Sequence, residues 1–277
     1  MKRRVFYFTF ILLCLSGSTT FAIAPVGQPT ASLRDHWLGL GVDYSHSNLD
    51  LKVDNIQDTQ TFTAGTIKDL KFDLVLGKAS ACITDYWEVF AGLGVVQAGD
   101  ISSERTGQWG DSPYTETDVF NLSSDMGFAA QIGTKFTLYE KALLKAGILC
   151  QLTWLNYSQT LKEDVYNSKD GFITTGKADI DTDLLIFQVA PGASYQLFYG
   201  FSVYGGPLLQ FIRGDINGKG KTGPFEGSKG SADIREKSAF GGWVGLHTNI
   251  DILTSFNVEY QVTSSSNTIG VSLTSKF

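Results

Sequence analysis

The sequence predicts an all-β fold: a transmembrane, up-and-down antiparallel β-barrel of about ten strands, between eight and twelve. Three observations predict it. A short apolar run follows a basic start, the rest of the chain alternates apolar and polar residues over many segments, and short turns alternate with long polar connections. No segment offers the ~20 consecutive apolar residues of a membrane-spanning helix. Barrel strands need no such run, because lipid-facing and lumen-facing residues alternate along them.

The first 22 residues are predicted to be a cleaved secretory signal peptide. Three cations, Lys2, Arg3 and Arg4, precede an apolar run, and small and polar residues follow to Ala22. This order is typical of a signal peptide. Cleavage after Ala22 is favoured over the competing site after Ala24, which would place Pro25 just after the cut. Residues 23–277 are then expected to form a single barrel domain.

Composition and charge agree with a barrel and exclude one class of partner. The chain has 30 Gly, 19 Phe and 11 Tyr, residues that suit strands and tight barrel corners. Its formal charge is -6, and loss of the three signal cations makes the mature charge about -9. Nucleic acid is not an expected partner, because binding it requires a basic surface. No cofactor is expected, and Cys82 and Cys150 are expected to be unpaired.

Alternation with period two marks the strands. Leu70, Phe72, Leu74 and Leu76 alternate with polar or small residues, which predicts a strand with its apolar face toward lipid. The same pattern recurs in segments that begin near residues 38, 89, 126, 144, 185, 201, 239, 256 and 269.

The residues on the other face of these strands are expected to point into the lumen. The candidates are Lys71, Asp73, Glu88, Gln131, Lys135, Lys145, Gln151, Gln188 and Glu259. Side chains just fill a barrel of about eight strands, whereas open aqueous pores need roughly sixteen. Ten strands lie near the closed limit, so a plugged, salt-bridged lumen and a narrow water-filled path both remain open. Some space is expected at the inward glycines Gly92, Gly94, Gly133 and Gly147.

Connections predict the orientation. Four are short, near residues 85–86, 139–141, 198–200 and 254–255. The long polar ones lie near residues 46–67, 98–122, 157–183 and 213–237. Outer-membrane barrels have short periplasmic turns and long extracellular loops. Both chain termini are therefore expected to be periplasmic.

Aromatic residues flank the short turns, as expected at a membrane interface. They are Tyr86, Trp87, Tyr139, Phe198, Tyr199, Phe201 and Phe256. The final strand carries Ile269, Val271, Leu273 and the terminal Phe277 on one face, which resembles the signal that outer-membrane assembly machinery recognises. Ser275 departs from that pattern, where a bulky residue is usual. The resemblance implies the outer membrane of a Gram-negative-type bacterium, with the lipid bilayer, lipopolysaccharide and the assembly machinery as partners.

Two further motifs are similar to the major outer-membrane porins of chlamydiae. One is Pro25-Val26-Gly27-Gln28-Pro29, just past the predicted signal. The other is Asp85-Tyr86-Trp87-Glu88-Val89-Phe90-Ala91-Gly92-Leu93-Gly94, after a short turn. Together they cover under a tenth of the chain, which is shorter and poorer in cysteine than those porins. The resemblance implies a pore-forming surface protein.

No enzyme or metal centre is predicted. Asp179, Asp181 and Asp183 share one face of a strand, but the glycine turn and closing glutamate of the usual Ca²⁺ loop do not follow. The Gly218–Thr222 stretch lacks the first glycine of a phosphate loop and a helix after it. Only His46 is placed near the outer rim, so a surface hydrolase remains a minor alternative.

The function predicted from the sequence is porin-like passage of small solutes or ions through a narrow polar lumen. The alternative is a plugged structural or adhesin barrel whose extracellular loops bind host or matrix partners.

Overall fold

The computed structural model describes residues 24–33, 36–57, 64–99, 101–109, 112–120, 122–167, 172–198, 200–222, 229–236 and 239–277. The predicted signal peptide lies outside them. No helix in these residues is long and apolar enough to cross a membrane. The described chain forms fourteen strands: β1 (Leu38–Gln57), β2 (Ala64–Thr84), β3 (Trp87–Ala98), β4 (Ile101–Trp109), β5 (Ser112–Phe120), β6 (Leu122–Ser124), β7 (Gly127–Lys141), β8 (Leu144–Asn167), β9 (Phe172–Phe198), β10 (Phe201–Thr222), β11 (Lys229–Glu236), β12 (Phe240–Asn249), β13 (Thr254–Thr263) and β14 (Ser266–Lys276).

Ten of these strands close into a ring in the order β1, β2, β3, β7, β8, β9, β10, β12, β13 and β14. Each neighbouring pair is antiparallel. The last strand pairs with the first, from Gly39 opposite Lys276 to Leu49 opposite Ser266. Closure satisfies the backbone donors and acceptors that an open edge would leave unpaired in lipid. The prediction of an antiparallel barrel of about ten strands is confirmed.

The other four strands extend the wall at one end. β4 pairs with β2 and forms a hairpin with β5, β6 pairs with β8, and β11 lies between β10 and β1. Much of what the sequence predicted as long loops is therefore strand. These strands reverse the alternation expected in lipid: outward Asp179, Asp181 and Asp183, which the sequence placed on one face of a strand, flank inward Ile180 and Thr182 on β9.

The opposite end, here called the short-turn end, carries the tight connections and the C-terminus. One turn lies at Asp85–Tyr86, as predicted. Two others lie a few residues from their predicted positions, at 142–143 and 250–253, because the Glu140–Lys145 and Thr254–Ser275 pairs extend the ladders. Gly200, between β9 and β10, has a φ of 76°, a conformation that favours glycine.

A band of exposed apolar side chains surrounds the barrel next to the short-turn end. On β9 the outward residues are apolar from Leu185 to Leu197, and Asp183 begins the polar part. The twelve steps from Leu185 to Leu197, at ~3.4 Å per residue, span about 41 Å along the strand. At a tilt of ~40° this becomes about 30 Å, close to the height of a lipid-facing band. The chain is thus dimensioned to span a bilayer once per strand in this band.

The predicted interface aromatics lie at the lower edge of the band. Tyr86, Trp87, Tyr139 and Phe198 are exposed, Phe201 and Phe256 are partly buried, and Tyr199 lies outside the described residues. The Phe198 and Phe201 rings stack with centroids 4.9 Å apart. On β14, Ile269, Val271 and Leu273 share the outward face, and the exposed Phe277 directly follows the strand. Their role as an assembly signal remains a prediction.

The orientation predicted for β2 is wrong. Phe72, Leu74 and Leu76 are fully buried inside the barrel, whereas Lys71 is exposed on the outer face. Asp73 also points outward and hydrogen-bonds Tyr44 Oη at 2.7 Å. The period-two alternation of β2 was predicted correctly, but its inward and outward faces were exchanged, because the lumen at this level is apolar.

We expect Ala142→Gly to stabilise the protein by about 1 kcal/mol, because Ala142 has a φ of 50° and a side chain strains that conformation. The midpoint of urea unfolding of the folded barrel in detergent measures this. Ala146→Gly, in the extended part of β8, is the matched control and should destabilise by about 0.5–1 kcal/mol. Equal effects of both substitutions would contradict the strain at residue 142.

Candidate functional site in the barrel lumen

Residues 24–33, here called the lumen segment, lie inside the barrel rather than in its wall. Ala24, Val26 and Leu33 are fully buried. The segment contacts inward side chains of β3, β7, β8, β13 and β14, strands from around much of the ring. It therefore occupies the lumen of the membrane-spanning half of the barrel next to the short-turn end, here called the lower half.

Glu259 on β13 holds the upper part of the lumen segment. Its carboxylate accepts hydrogen bonds from the backbone N–H groups of Val26 at 2.5 Å and Gly27 at 2.6 Å. The Gln261 side-chain amide donates at 2.6 Å and the Tyr204 hydroxyl at 3.3 Å. A buried carboxylate is costly unless donors surround it, so Glu259 depends on the segment as the segment depends on Glu259.

A second carboxylate, Glu88 on β3, holds the lower part. It accepts from Ser32 N at 2.7 Å and Ser32 Oγ at 3.1 Å, and the Lys135 ammonium lies 3.6 Å away. The Ala31 N–H donates to Thr137 Oγ1 at 3.0 Å. Buried charges here are paired and hydrogen-bonded, as burial requires. Asp43 forms a further ion pair with Lys78 inside the barrel.

Four glutamines, here called the amide cluster, cross the lumen above the segment: Gln151, Gln188, Gln210 and Gln261. Gln188 accepts from Gln151 at 2.6 Å and donates to Gln210 at 2.8 Å and to Gln261 at 3.1 Å. The last bond reaches from β9 to β13, strands that are not neighbours in the ring. Gln151 and Gln261 also donate to the carbonyls of Pro25 and Ala24, which ties the cluster to the segment.

Inward glycines give the lumen segment its room. A Cβ on Gly270 would lie 2.7 Å from the Pro25 ring, and one on Gly147 would lie 2.6 Å from the Pro29 carbonyl oxygen. At Gly133 the Phe90 ring takes the space, with a Cβ approach of 2.3 Å. The sequence predicted that inward glycines leave space, and at Gly133 and Gly147 the chain itself fills it.

Above the amide cluster the lumen is apolar. Inward side chains from most of the ring pack there, including Leu74 on β2, Val96 on β3, Leu155 on β8, Ile186 on β9 and Ile212 on β10. The outward residues at this end are polar, so the amphipathic pattern of the wall is inverted relative to the membrane-spanning half. The polar side chains of the lumen are therefore concentrated in the lower half, with a few such as Gln159 and Thr182 above it.

Most of the predicted lumen residues do point inward. Glu88, Gln131, Lys135, Gln151, Gln188 and Glu259 are buried inside the barrel. Lys145 points inward at the short-turn mouth and pairs with Glu140 at 3.1 Å. Lys71 and Asp73 face outward, as described above.

The sequence analysis did not place residues 24–33 in the lumen, and it did not single out Tyr204 or Gln210 among the inward residues. One signal was present. The Pro25–Pro29 stretch is too rich in proline and glycine for a strand, yet it directly precedes a barrel with nowhere else to bury apolar residues.

The histidines do not form a catalytic arrangement with the lumen. His46 Nδ1 lies 2.9 Å from Asp73 Oδ1, but both side chains are on the outer face at the edge of the apolar band. His247 lies inside near the short-turn end between Asn249 and Asn257. No group of three or more His, Cys, Asp or Glu side chains in the described residues could hold a metal ion.

The closed ten-strand ring, the apolar outer band and the filled lumen together define the fold of an outer-membrane β-barrel. Searches against protein-family models and against curated proteins give no match. Among solved structures the chain is similar to the outer-membrane protease OmpT from Escherichia coli. The identity is 13%, 86% of this chain and 97% of that chain are covered, and the TM-score is 0.58.

Two other barrels match with lower scores. The Ralstonia pickettii toluene transporter TbuX is 12% identical, with 94% of this chain and 96% of that chain covered and a TM-score of 0.42. OprG from Pseudomonas aeruginosa is 9% identical, with 89% and 100% covered and a TM-score of 0.32. At these scores neither supports an argument, and the likeness to OmpT supports the fold alone.

Gly270→Ala should loosen the lumen segment, because its new Cβ meets Pro25 while its nearest wall atom, in Glu259, stays 3.5 Å away. Overpacking of this kind costs about 1–3 kcal/mol, which corresponds to a rise in opening of about 5- to 150-fold. The readout is the rate of maleimide labelling of Val26→Cys, a position that is buried here, with Cys82 and Cys150 replaced by Ser.

Gly92→Ala is the matched control inside the barrel. Its Cβ would meet no atom closer than 3.4 Å, and none of the contacted residues belongs to the lumen segment. The same labelling rate in both variants would show that Pro25 does not seat against Gly270.

Proposed function

We propose that the protein passes small solutes across the outer membrane and that the lumen segment is its gate. The observation that carries the proposal is the occupation of the lower lumen by residues 24–33, which are continuous with β1 through a short connection. The short-turn end is taken as periplasmic, as the sequence predicts.

The contacts between the lumen segment and the wall support the proposal that the segment can move out of the lumen. Its hydrogen bonds to the wall in the described residues involve wall side chains such as Glu88, Thr137 and Glu259. The segment is not a strand and takes no part in the backbone ladders of the ring. Its departure would therefore leave the wall intact, and water or solute could hydrate the polar groups it leaves behind.

The lining favours small uncharged or amphipathic solutes over ions. In the lower half, Gln131 Oε1 and Gln151 Oε1 have no hydrogen-bond partner among the described residues and are available as acceptors. The upper half is lined mainly by aliphatic side chains with few polar ones, such as Gln159 and Thr182, so a desolvated charge is costly to bury there. The proposed passage therefore admits a smaller range of solutes than the passage of small solutes or ions predicted from the sequence.

A reversible covalent lock tests the gate. The Ala31 N–H donates to Thr137 Oγ1 at 3.0 Å, so these two neighbouring positions are chosen for an engineered disulfide. In a Cys82→Ser, Cys150→Ser background, oxidised Ala31→Cys/Thr137→Cys protein in liposomes should show no swelling in a small uncharged sugar. Reduction of the same sample should restore the rate of the parent, since only the lock has changed.

Each single-cysteine variant, treated with the same oxidant, controls for effects of the substitutions. Removal of residues 24–33 should raise the swelling rate above that of the parent. If the deletion variant folds, as its heat-dependent gel shift reports, and still passes no solute, the gate proposal is overturned.

A closed binding barrel is the second candidate, and the apolar packing of the upper lumen favours it. β8 has 24 residues and β9 has 27, far more than the ~9–11 needed to cross a bilayer. The wall therefore rises well beyond the apolar band and carries the β4–β5 hairpin there. Such a projection suits contact with host or matrix partners.

Replacing residues 101–120 by a short turn separates this candidate from the first. β2 and β3 pair directly from Phe72–Ala98 downward, so the membrane-spanning ring should remain folded. Under the binding function, adhesion of cells to immobilised matrix should fall to the level of cells lacking the protein, with solute passage unchanged. Unchanged adhesion with a normal gel shift would exclude the hairpin as the binding element.

A further inference from the structure

We propose that the cavity at the short-turn mouth of the barrel binds a small organic anion through its carboxylate or phosphate group. The cavity has a volume of about 410 Å³, within the ~300–1,000 Å³ typical of small-molecule sites. The lumen segment forms its inner end, and inward side chains from β8, β9, β10, β12 and β14 form its sides.

The charge of the lining selects an anion. Lys145 and Lys276 both line the cavity, and no Asp or Glu of the described chain does. Four strands separate β8 from β14 in the ring order, so the two ammonium groups approach from different sides of the mouth. An anion between them would gain charge-assisted hydrogen bonds from both, and these are stronger than neutral ones.

Contacts of both lysines at the mouth can be exchanged for contacts with such an anion. Lys276 Nζ donates to the neutral carbonyl oxygen of Ser32 at 3.0 Å. Lys145 Nζ lies 3.1 Å from Glu140 Oε1, at a part of the rim where both side chains are partly exposed to solvent. Solvent screening makes such a pair weak, so a multiply charged anion deeper in the cavity can compete for Lys145.

Neutral donors complete the lining. Ser194 and Ser202 contribute hydroxyl groups and Gln28 and Gln196 contribute side-chain amides. His247 is held from both sides, with Nδ1 2.8 Å from Asn257 Oδ1 and Nε2 3.1 Å from Asn249 Oδ1, so its ring forms a fixed part of the side. A site with two cations and several hydroxyl and amide donors matches the acceptor-rich surface of a carboxylate or phosphate group.

The site also contacts the lumen segment, since Gln28, Thr30 and Ser32 line it. An anion that attracts Lys276 competes with the Ser32 carbonyl for that ammonium group. Occupation of the cavity is thereby linked to one of the bonds that hold the segment. The binding proposal itself does not require that the barrel conducts.

Calorimetric titration of the folded mature protein in detergent tests the site, with citrate and inorganic phosphate as probes and glycerol as the uncharged control. We expect saturable binding of at least one anion with one site per chain, and none of glycerol. Lys145→Gln and Lys276→Gln should each weaken that affinity about tenfold, the loss expected for one charge-assisted contact. Lys145→Arg keeps the charge and should bind within about threefold of the parent.

Lys219→Gln is the matched control, because Lys219 is exposed on the outer face of β10 far from this mouth. It should leave the affinity unchanged. The proposal is overturned if neither anion binds saturably, or if Lys219→Gln weakens binding as much as the mouth variants do, which would indicate a nonspecific charge effect. Since binding is measured in detergent, a barrel that binds the anion but passes no solute would refute the gate and keep this site.

Discussion

β14 pairs with β1 along eleven consecutive residue pairs, and this closure determines the size of everything inside the barrel. In lipid, an unpaired strand edge would leave backbone donors and acceptors without partners, so the ring has to close. Ten strands enclose a lumen slightly larger than side chains alone fill. Aromatic rings over glycines, such as Phe90 at Gly133, and the lumen segment over Gly147 and Gly270 take up the difference. The segment thus complements the closure, since without it the space beside Gly147 and Gly270 in the lower lumen would be filled by water.

Apolar and polar residues exchange faces along the wall because lipid surrounds one part of the barrel and water surrounds the other. Where lipid surrounds the barrel, apolar residues such as Leu185 and Leu197 face outward, and polar groups pair with one another inside. Beyond the band, water surrounds the barrel, so Asp181 and Asp183 face outward and Leu184 and Ile186 form an interior core like that of a soluble protein. The change occurs within a single strand, because the register along β9 stays continuous while the surrounding medium changes.

Much of the ring could be predicted from the sequence, because period-two alternation specifies a strand regardless of what lies on either side. The sign of the alternation is another matter. On β8 and β13, the assumption that apolar residues face lipid and polar residues face the lumen predicted the orientation correctly, as for Gln151 and Glu259. The sequence of β2 alternates in the same manner, but its apolar face points inward, because Phe72 and Leu74 lie where the lumen is apolar. A single sequence gives no position along the membrane normal, so Lys71 and Asp73 were assigned to the wrong face.

The contacts of the lumen segment explain how it can be held firmly and still be replaced. Glu259 and Glu88 would be destabilised in a dry lumen without the N–H groups of Val26, Gly27 and Ser32. Each such bond contributes only about 1 kcal/mol net when water is the alternative partner. Since departure of the segment admits water to the same polar groups, the large cost of an unpaired buried charge does not arise. The difference between the two states then depends mainly on the apolar contacts of Val26 and on the ordering of the segment, both modest terms that a bound solute is able to offset.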